Sequence, residues 1–326
     1  MQPPAARHAG TAADNCAIRT VGLARRFGDV EAVTSLDLEV ARGEMFALVG
    51  PDGAGKSTAI RLLCGILRPT AGSGRVLGFD LARQPEQVKT RIGYLSQSFT
   101  LYGDLTVDEN IQFFADIHGV RDFRRRRDEL LEFTRLTPFR RRLAQALSGG
   151  MKKKLALACT LIHTPELIFL DEPSTGVDPV SRGEFWNILS GILAQGVTIF
   201  MTTPYLDEVE RCHRIGMMHR GRMFITGTPA EVKAALPGRV FRIDCPATQA
   251  AYRALRASAP ALNLVVYADH LRLWTPAGQD EPRQVIEELD REGLGPARFS
   301  LAEATLEDAF VGMVSAAAAE AVSSEQ

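Results

Sequence analysis

Apolar residues come in short unbroken blocks through the middle of the chain: Met45-Phe-Ala-Leu-Val49, Ile92-Gly-Tyr-Leu95, Leu167-Ile-Phe-Leu170 and Val197-Thr-Ile-Phe-Met-Thr-Thr203. Each is too short for a typical helix, and each predicts a buried strand. Around them the pattern changes. Ile18 to Leu48 reads as strands joined by turns at Gly28-Asp29 and Arg42-Gly43, while Ser57–Leu67 and Met151–Ile162 read as helices. Another helix begins in Asp104–Asn110, where Thr106 is the N-cap and Glu109 stands three residues on, at capping-box spacing. From there to Ala146 the chain predicts a helical insertion. Past Pro237-Gly238 a second rhythm sets in. Strands at Val240–Cys245, Leu262–Tyr267 and Leu271–Trp274 alternate with helices at Ala247–Ser258 and Glu281–Glu292, which predicts a ferredoxin-like arrangement. The polar stretch 1–15 and the Ala/Ser-rich end from Ser315 to Gln326 are expected to be disordered or flexible.

Chemistry enters at the end of the first buried strand. Gly50-Pro51-Asp52-Gly53-Ala54-Gly55-Lys56-Ser57-Thr58 fits the phosphate-loop pattern, in which successive backbone N–H groups curl around the β- and γ-phosphates. Lys56 would neutralise phosphate charge and Ser57 would coordinate magnesium. A strand before it and a helix after it, N-terminus facing the anion, are the context such a loop needs. The segment predicts ATP and Mg2+ as ligands, but it names no job, because many enzymes carry such a loop.

Later segments narrow the choice. Leu147-Ser148-Gly149-Gly150 opens a helix with bare N–H donors, a few turns before Leu167-Ile-Phe-Leu-Asp171-Glu172-Pro173 closes a strand. With Gln97 placed after its own strand, these motifs recur in an order that resembles the ATP-binding subunits of ABC transporters, from about Ile18 to Ala235. The resemblance implies an α/β fold: a RecA-like core, a small antiparallel β part and a helical subdomain over about 98–150, within an ATP-binding domain spanning 16–238. The module over 239–314 and the tail over 315–326 would come after it.

Site roles come from the same resemblance. Phe27 stands where the family stacks an aromatic on adenine. Gln97 matches the glutamine that touches magnesium and reports nucleotide state to the membrane partner. Asp171 would hold the magnesium shell and Glu172 would polarise the attacking water, since phosphoryl transfer depends on positioning and charge neutralisation. Asp178, in Ser174-Thr-Gly-Val-Asp-Pro179, matches the loop that crosses the dimer interface. The family's sites are composite: the loop around Lys56 in one subunit faces Ser148, Gly149 and Gly150 of another. Met151, where glutamine usually comes after the glycines, resembles drug and polysaccharide exporters.

One landmark is missing. Where the family delivers a histidine to the γ-phosphate, this chain has Thr202-Thr203-Pro204, and proline brings neither a polar side chain nor an N–H. The expectation is an own site that binds ATP but hydrolyses it slowly, with ordinary turnover through Thr203 or a water as the alternative.

Composition changes little in this picture. A net charge of −1 over 326 residues gives no bulk reason to expect nucleic acid as a partner. The runs Arg124–Arg127 and Arg140–Arg142 read as solvated faces offset by Asp128, Glu129 and Glu132, and Lys152–Lys154 as an exposed helical face. Five cysteines without C-x-x-C spacing suggest reduced thiols. No stretch approaches the roughly twenty apolar residues of a membrane span. The chain therefore reads as a peripheral subunit on the cytoplasmic face of the membrane, powering a separate permease in an exporter of drug-like or other amphiphilic cargo, in a dimer with a second ABC ATPase subunit. A soluble ribosome- or DNA-acting ABC ATPase is the alternative, and a homodimeric importer ATPase a third.

Overall fold

The unbroken apolar blocks become four adjacent strands of one sheet, because a strand covered on both faces has no position to spare for a polar residue. The computed structural model describes residues 15–98, 101–259, 262–275 and 281–324, and the chain divides into two units between Thr226 and Gly227. In the first unit the elements run β1 (Cys16–Phe27), β2 (Val30–Ala41), β3 (Met45–Val49), α1 (Lys56–Leu63), β4 (Ala71–Val76), β5 (Phe79–Asp80), α2 (Pro85–Lys89) and β6 (Ile92–Leu95). They continue as α3 (Val107–Ile117), α4 (Phe123–Phe133), α5 (Gly149–Leu161), β7 (Leu167–Asp171), α6 (Pro179–Ala194), β8 (Thr198–Thr203), α7 (Leu206–Val209), β9 (Arg214–His219) and β10 (Arg222–Gly227).

The strands stand in the order β5-β4-β1-β2-β10-β9-β3-β8-β7-β6. From β6 to β7, β8, β3 and β9 the pairing is parallel, and β1 is antiparallel to both β2 and β4. One continuous sheet thus carries both the RecA-like part and the antiparallel part. Phe200 anchors the parallel half: it is fully buried, with ring centroids 5.5 Å from Phe46 and 5.6 Å from Phe169. Thr106 caps α3 in a complete capping box with Glu109. The helix predicted to reach Leu67 stops at Leu63, because Cys64 closes it and Gly65 turns into the left-handed region at φ 68.

The arginine runs are paired with acids, Arg125 and Arg126 with Glu129, and Arg127 and Arg140 with Asp108 and Asp128. The lysine face differs from expectation. Lys154 is buried and paired with Glu184 of α6, since α5 is covered on that side by α6, and Lys153 is half-buried with its pKa lowered by that burial. No disulfide forms among the described residues. No described helix is long and apolar enough to cross a membrane.

The second unit contains α8 (Pro229–Ala234), β11 (Arg239–Asp244), α9 (Thr248–Ser258), β12 (Asn263–Val266), β13 (Leu271–Thr275), α10 (Glu281–Arg291), β14 (Arg298–Ala302) and α11 (Leu306–Ser324). Its sheet order β12-β13-β11-β14, with every neighbouring pair antiparallel, is the split βαβ topology predicted. Three features depart from the sequence reading. The division falls at Gly227 rather than Arg239, because α8 packs on α11: a Cβ on Gly312 would stand 2.5 Å from Leu236 and 3.2 Å from Trp274. A fourth strand, β14, comes after α10. The Ala/Ser-rich end continues α11 to Ser324, which fits alanine's helix propensity and the absence of Gly or Pro from Met313 onward. The expectations for residues 1–14 and for the last two residues lie outside the described residues.

Between β6, α3 and α5 a groove of about 250 Å³ is lined by Tyr94, Phe114, His118, Cys159 and His163 among others. His163 Nε2 lies 2.9 Å from the Ile92 carbonyl, which can only accept, so Nε2 carries the proton. The His118 ring stacks on it at 3.9 Å. Burial, together with His118, pushes the His163 pKa from 6.5 to about 4. The unfolded chain therefore takes up the proton first, and this contribution to stability is complete above about pH 6.5 and lost as pH falls through about 4. His163→Gln, which can still donate to Ile92, is expected to lose less stability than wild type between pH 6.5 and 4, measured as the urea midpoint across that range.

Candidate functional site

Three parallel strands end level with one another. In the β3–β8–β7 register Val49 lies beside Thr203, Leu48 beside Thr202, and Thr202 beside Asp171. The segments leaving the three strands therefore meet in one place: the loop from Gly50, the pair Asp171-Glu172, and Thr203-Pro204. The result is a cleft of about 670 Å³ lined by Gly53, Lys56, Gln97, Glu172, Pro204 and Tyr205 among others.

The loop has the geometry an anion needs. Gly55 caps α1 at φ 102, a conformation an L side chain resists, and a Cβ there would stand 2.3 Å from the Ala32 carbonyl oxygen. At Gly50 a Cβ would meet the Met218 carbonyl oxygen at 2.2 Å. With the loop pressed this tightly, the N–H groups of Gly53, Gly55, Lys56, Ser57 and Thr58 find no internal acceptor among the described residues. They form a run of donors at a helix N-terminus, the chemistry that holds a phosphate. Lys56 Nζ donates to the carbonyls of Gly50 (2.8 Å) and Pro51 (3.0 Å) and pairs with Glu172 Oε1 at 3.4 Å. Pro51 and Asp52 lie exposed at the mouth, and Ala54 is buried with its N–H on the Pro51 carbonyl.

The acidic wall is built from β7. Asp171 is buried, and its Oδ1 accepts from Thr202 Oγ1 (2.7 Å) and Ser57 Oγ (3.1 Å); its other oxygen takes no internal donor among the described residues. A hard carboxylate oxygen beside a hydroxyl is a donor set suited to magnesium. Glu172 sits at φ 49, unusual for a residue with a side chain, and its N–H is held by Thr202. Its Oε2 accepts from Gln97 Nε2 at 3.0 Å, so Gln97, Lys56 and Glu172 converge. Phe27 is exposed at the end of β1 with Arg25 4.5 Å over its ring.

Ser148 and Gly149 are exposed, and the Ser148 hydroxyl caps α5 by accepting from Met151 N–H. A Cβ on Gly150 would meet Ser181 at 2.4 Å. Within this chain the Ser148 helix end does not line the cleft that holds Lys56. Asp178 caps α6 through the N–H groups of Val180 and Ser181.

Behind the cleft lies a network that motif reading missed. Glu208 of α7 is 3 % exposed; its Oε2 accepts from Ser174 Oγ (2.8 Å) and Thr203 Oγ1 (3.0 Å), and Arg182 approaches Oε1 at 3.5 Å. Thr203 Oγ1 also accepts from Tyr205 N–H, and Arg182 stacks on the Tyr205 ring at 5.0 Å. These groups bracket Pro204. The Thr203 hydroxyl thus donates to Glu208 and accepts from Tyr205. A glutamate inside an otherwise ordinary short helix carries no signal in the sequence; only its burial marks it.

Comparisons with known proteins agree with this geometry. The model of the family described as ABC transporter matches residues 33–175. A daunorubicin/doxorubicin resistance ATP-binding protein of Streptomyces peucetius is 36 % identical over 303 residues, covering 91 % of this chain and 92 % of its own length. A probable multidrug ABC transporter ATP-binding protein of Escherichia coli (strain K12) is 42 % identical over 215 residues, covering 65 % of this chain; this chain spans only 37 % of that relative's length. A solved ATP-binding subunit of an ABC transporter aligns with a TM-score of 0.61 and 30 % identity over 67 % of this chain and 92 % of its own.

Glu208→Ala strands two buried hydroxyls and Arg182 at once and is expected to destabilise the first unit by about 3 kcal/mol in urea denaturation. Glu208→Gln, whose amide oxygen can accept from both hydroxyls while losing the charge that faces Arg182, is expected to lose less than half of that.

Proposed function

The chain belongs to the ABC transporter ATP-binding family, and from that premise we propose that it binds ATP with magnesium in the cleft at the end of β3 and closes on it with a second ABC ATPase subunit. This closure drives a separate integral-membrane permease, in the direction of export. The observation that carries the proposal is the meeting of free loop N–H groups, Lys56 and the Asp171-Glu172 strand end in one cleft. Export of a drug-like or other amphiphilic cargo is supported by the relatives' names, one a daunorubicin/doxorubicin resistance protein and the other a probable multidrug transporter protein. Attachment to the cytoplasmic face of the membrane, as a peripheral subunit, follows from the need to meet a permease.

Each side chain then has a task. The N–H groups of Gly53 and of Gly55 to Thr58, with the Lys56 ammonium, hold the triphosphate, and Phe27, exposed beside Arg25, offers its ring to the base. Ser57, Asp171 and Gln97 would hold magnesium, which when bound neutralises phosphate charge. Glu172, held in place by its strained backbone and by Gln97, orients the attacking water. Ser148 and Gly149, exposed at the tip of α5, complete the site of the opposite subunit, with Asp178 at the seam.

Pro204 weakens this chain's own site. With the Thr203 hydroxyl bound to Glu208 and the Tyr205 N–H bound to Thr203, the end of β8 presents no donor from these groups to the γ-phosphate. The site binds ATP and turns it over slowly, while the helix led by Ser148 serves a histidine-bearing partner.

Two variants test this together. Glu172→Gln is expected to keep nucleotide affinity while lowering the hydrolysis rate by about 10² or more; loss of affinity would remove Glu172 from the role of water-orienting group. Pro204→His is expected to raise the rate about tenfold or more, and no gain would show that the proline is not the limiting feature.

A further inference from the structure

The turn between β9 and β10 leans on the phosphate-type loop. Gly221 N–H donates to the Ala54 carbonyl at 2.9 Å, and the Gly221 carbonyl accepts from Thr34 N–H at 2.9 Å and Thr34 Oγ1 at 3.2 Å. A Cβ on Gly221 would stand 3.1 Å from the carbonyl oxygens of both Glu31 and Ala32, so the turn is pressed against the start of β2. The residue before it, Arg220, is held at φ 47, a left-handed conformation that costs an arginine energy and suits glycine or asparagine. Such a conformation persists only where its surroundings impose it, and beside a cleft it points to use. Arg220 lines the cleft that holds Lys56, and these two are the only lysine or arginine residues lining it among the described residues. Lys56 is buried and paired with Glu172. Arg220 is exposed, and its guanidinium has no ion-pair or hydrogen-bond partner within the chain among the described residues. Glu31 and Asp52, exposed on the same cleft, would repel a phosphate there, and Arg220 offsets them.

We propose that Arg220 is a further nucleotide-binding residue of this cleft and pairs with the α-phosphate. The inference rests on the ATP reading and deepens it. The phosphate is assigned by the order of residues along the cleft wall. Phe27, at the base end, pairs with Val30 across β1 and β2. Val30, Glu31 and Ala32 then run along the cleft, Gly221 packs on the last two, and the Ala32 carbonyl also lies against Gly55 of the loop. Arg220 therefore stands between the base end and the N–H donors of Gly53 and Gly55. The part of a nucleotide that spans this interval is the ribose with its α-phosphate, while Lys56 and the loop serve the outer phosphates. A planar guanidinium offers two parallel N–H donors to phosphate oxygens, a geometry that a lysine ammonium lacks.

The full chain tests this by titration with ATP and with ADP at low salt, beside Arg220→Asn, which suits the left-handed turn without a charge, and Arg220→Lys, which keeps the charge. Arg220→Asn is expected to bind both nucleotides about tenfold more weakly, the scale of one hydrogen bond to a charged group, with a nucleotide-free melting temperature equal to or above that of wild type. Arg220→Lys is expected to fall between the two. The gap between wild type and Arg220→Asn is expected to narrow at high salt, because the group is exposed. Equal affinity in wild type and Arg220→Asn would overturn the proposal. So would a loss confined to ATP, which would put the residue on the γ-phosphate, or a loss with a lowered melting temperature that Arg220→Lys does not relieve, which would make it part of the turn alone. A wild-type chain that binds neither nucleotide would instead overturn the ATP reading itself.

Discussion

Everything chemical in the first unit depends on the register of three buried parallel strands. Hydrogen bonding from β3 to β8 to β7 sets Leu48, Thr202 and Asp171 side by side. A parallel ladder has no freedom to slip by one residue, since a slip would turn every side chain to the other face. Phe46, Phe169 and Phe200, packed on one another inside the same three strands, hold that register from below. The phosphate-type loop, the acidic pair and Pro204 are therefore neighbours although they are far apart in sequence.

A polar floor lies on this apolar support. Ser57 and Thr202 donate to Asp171; Gln97 donates to Glu172, which pairs with Lys56; and Ser174 and Thr203 donate to Glu208, which pairs with Arg182. Buried polar groups cost stability unless each is partnered, and these groups are partnered largely by one another. Their arrangement leaves one oxygen of Asp171 and a run of backbone N–H groups without an internal partner among the described residues. The third group, around Glu208, is turned away from the cleft. It fixes Thr203 and Tyr205 on either side of Pro204, so this end of β8 is rigid, and both residues' hydrogen-bonding groups named here are already in use.

The second unit obeys a different constraint. A small split βαβ sheet buries one face under α9 and α10, but its last strand extends past that cover. Alternation along β14 puts apolar residues on the covered face whether or not a helix reaches them. The exposed Phe299 and Leu301 are a consequence of that alternation at the border of the sheet.

Much of this was legible in the residues. Unbroken apolar blocks gave the buried strands, the capping box at Thr106 and Glu109 gave the start of α3, and the glycine-lysine loop with its strand and helix gave the cleft, because each is a local pattern with a local cause. The helix end at Leu63, the fourth strand of the second unit, the reach of α11 and the division at Gly227 were misread or missed, since weak local signals there are decided by what packs against them. Sequence alone determined which groups this protein has for handling a triphosphate and which one it lacks. Only the tertiary structure decided that the Thr203 hydroxyl donates to Glu208, because that glutamate is brought there by burial, and burial is a property of the packed molecule rather than of any stretch of chain.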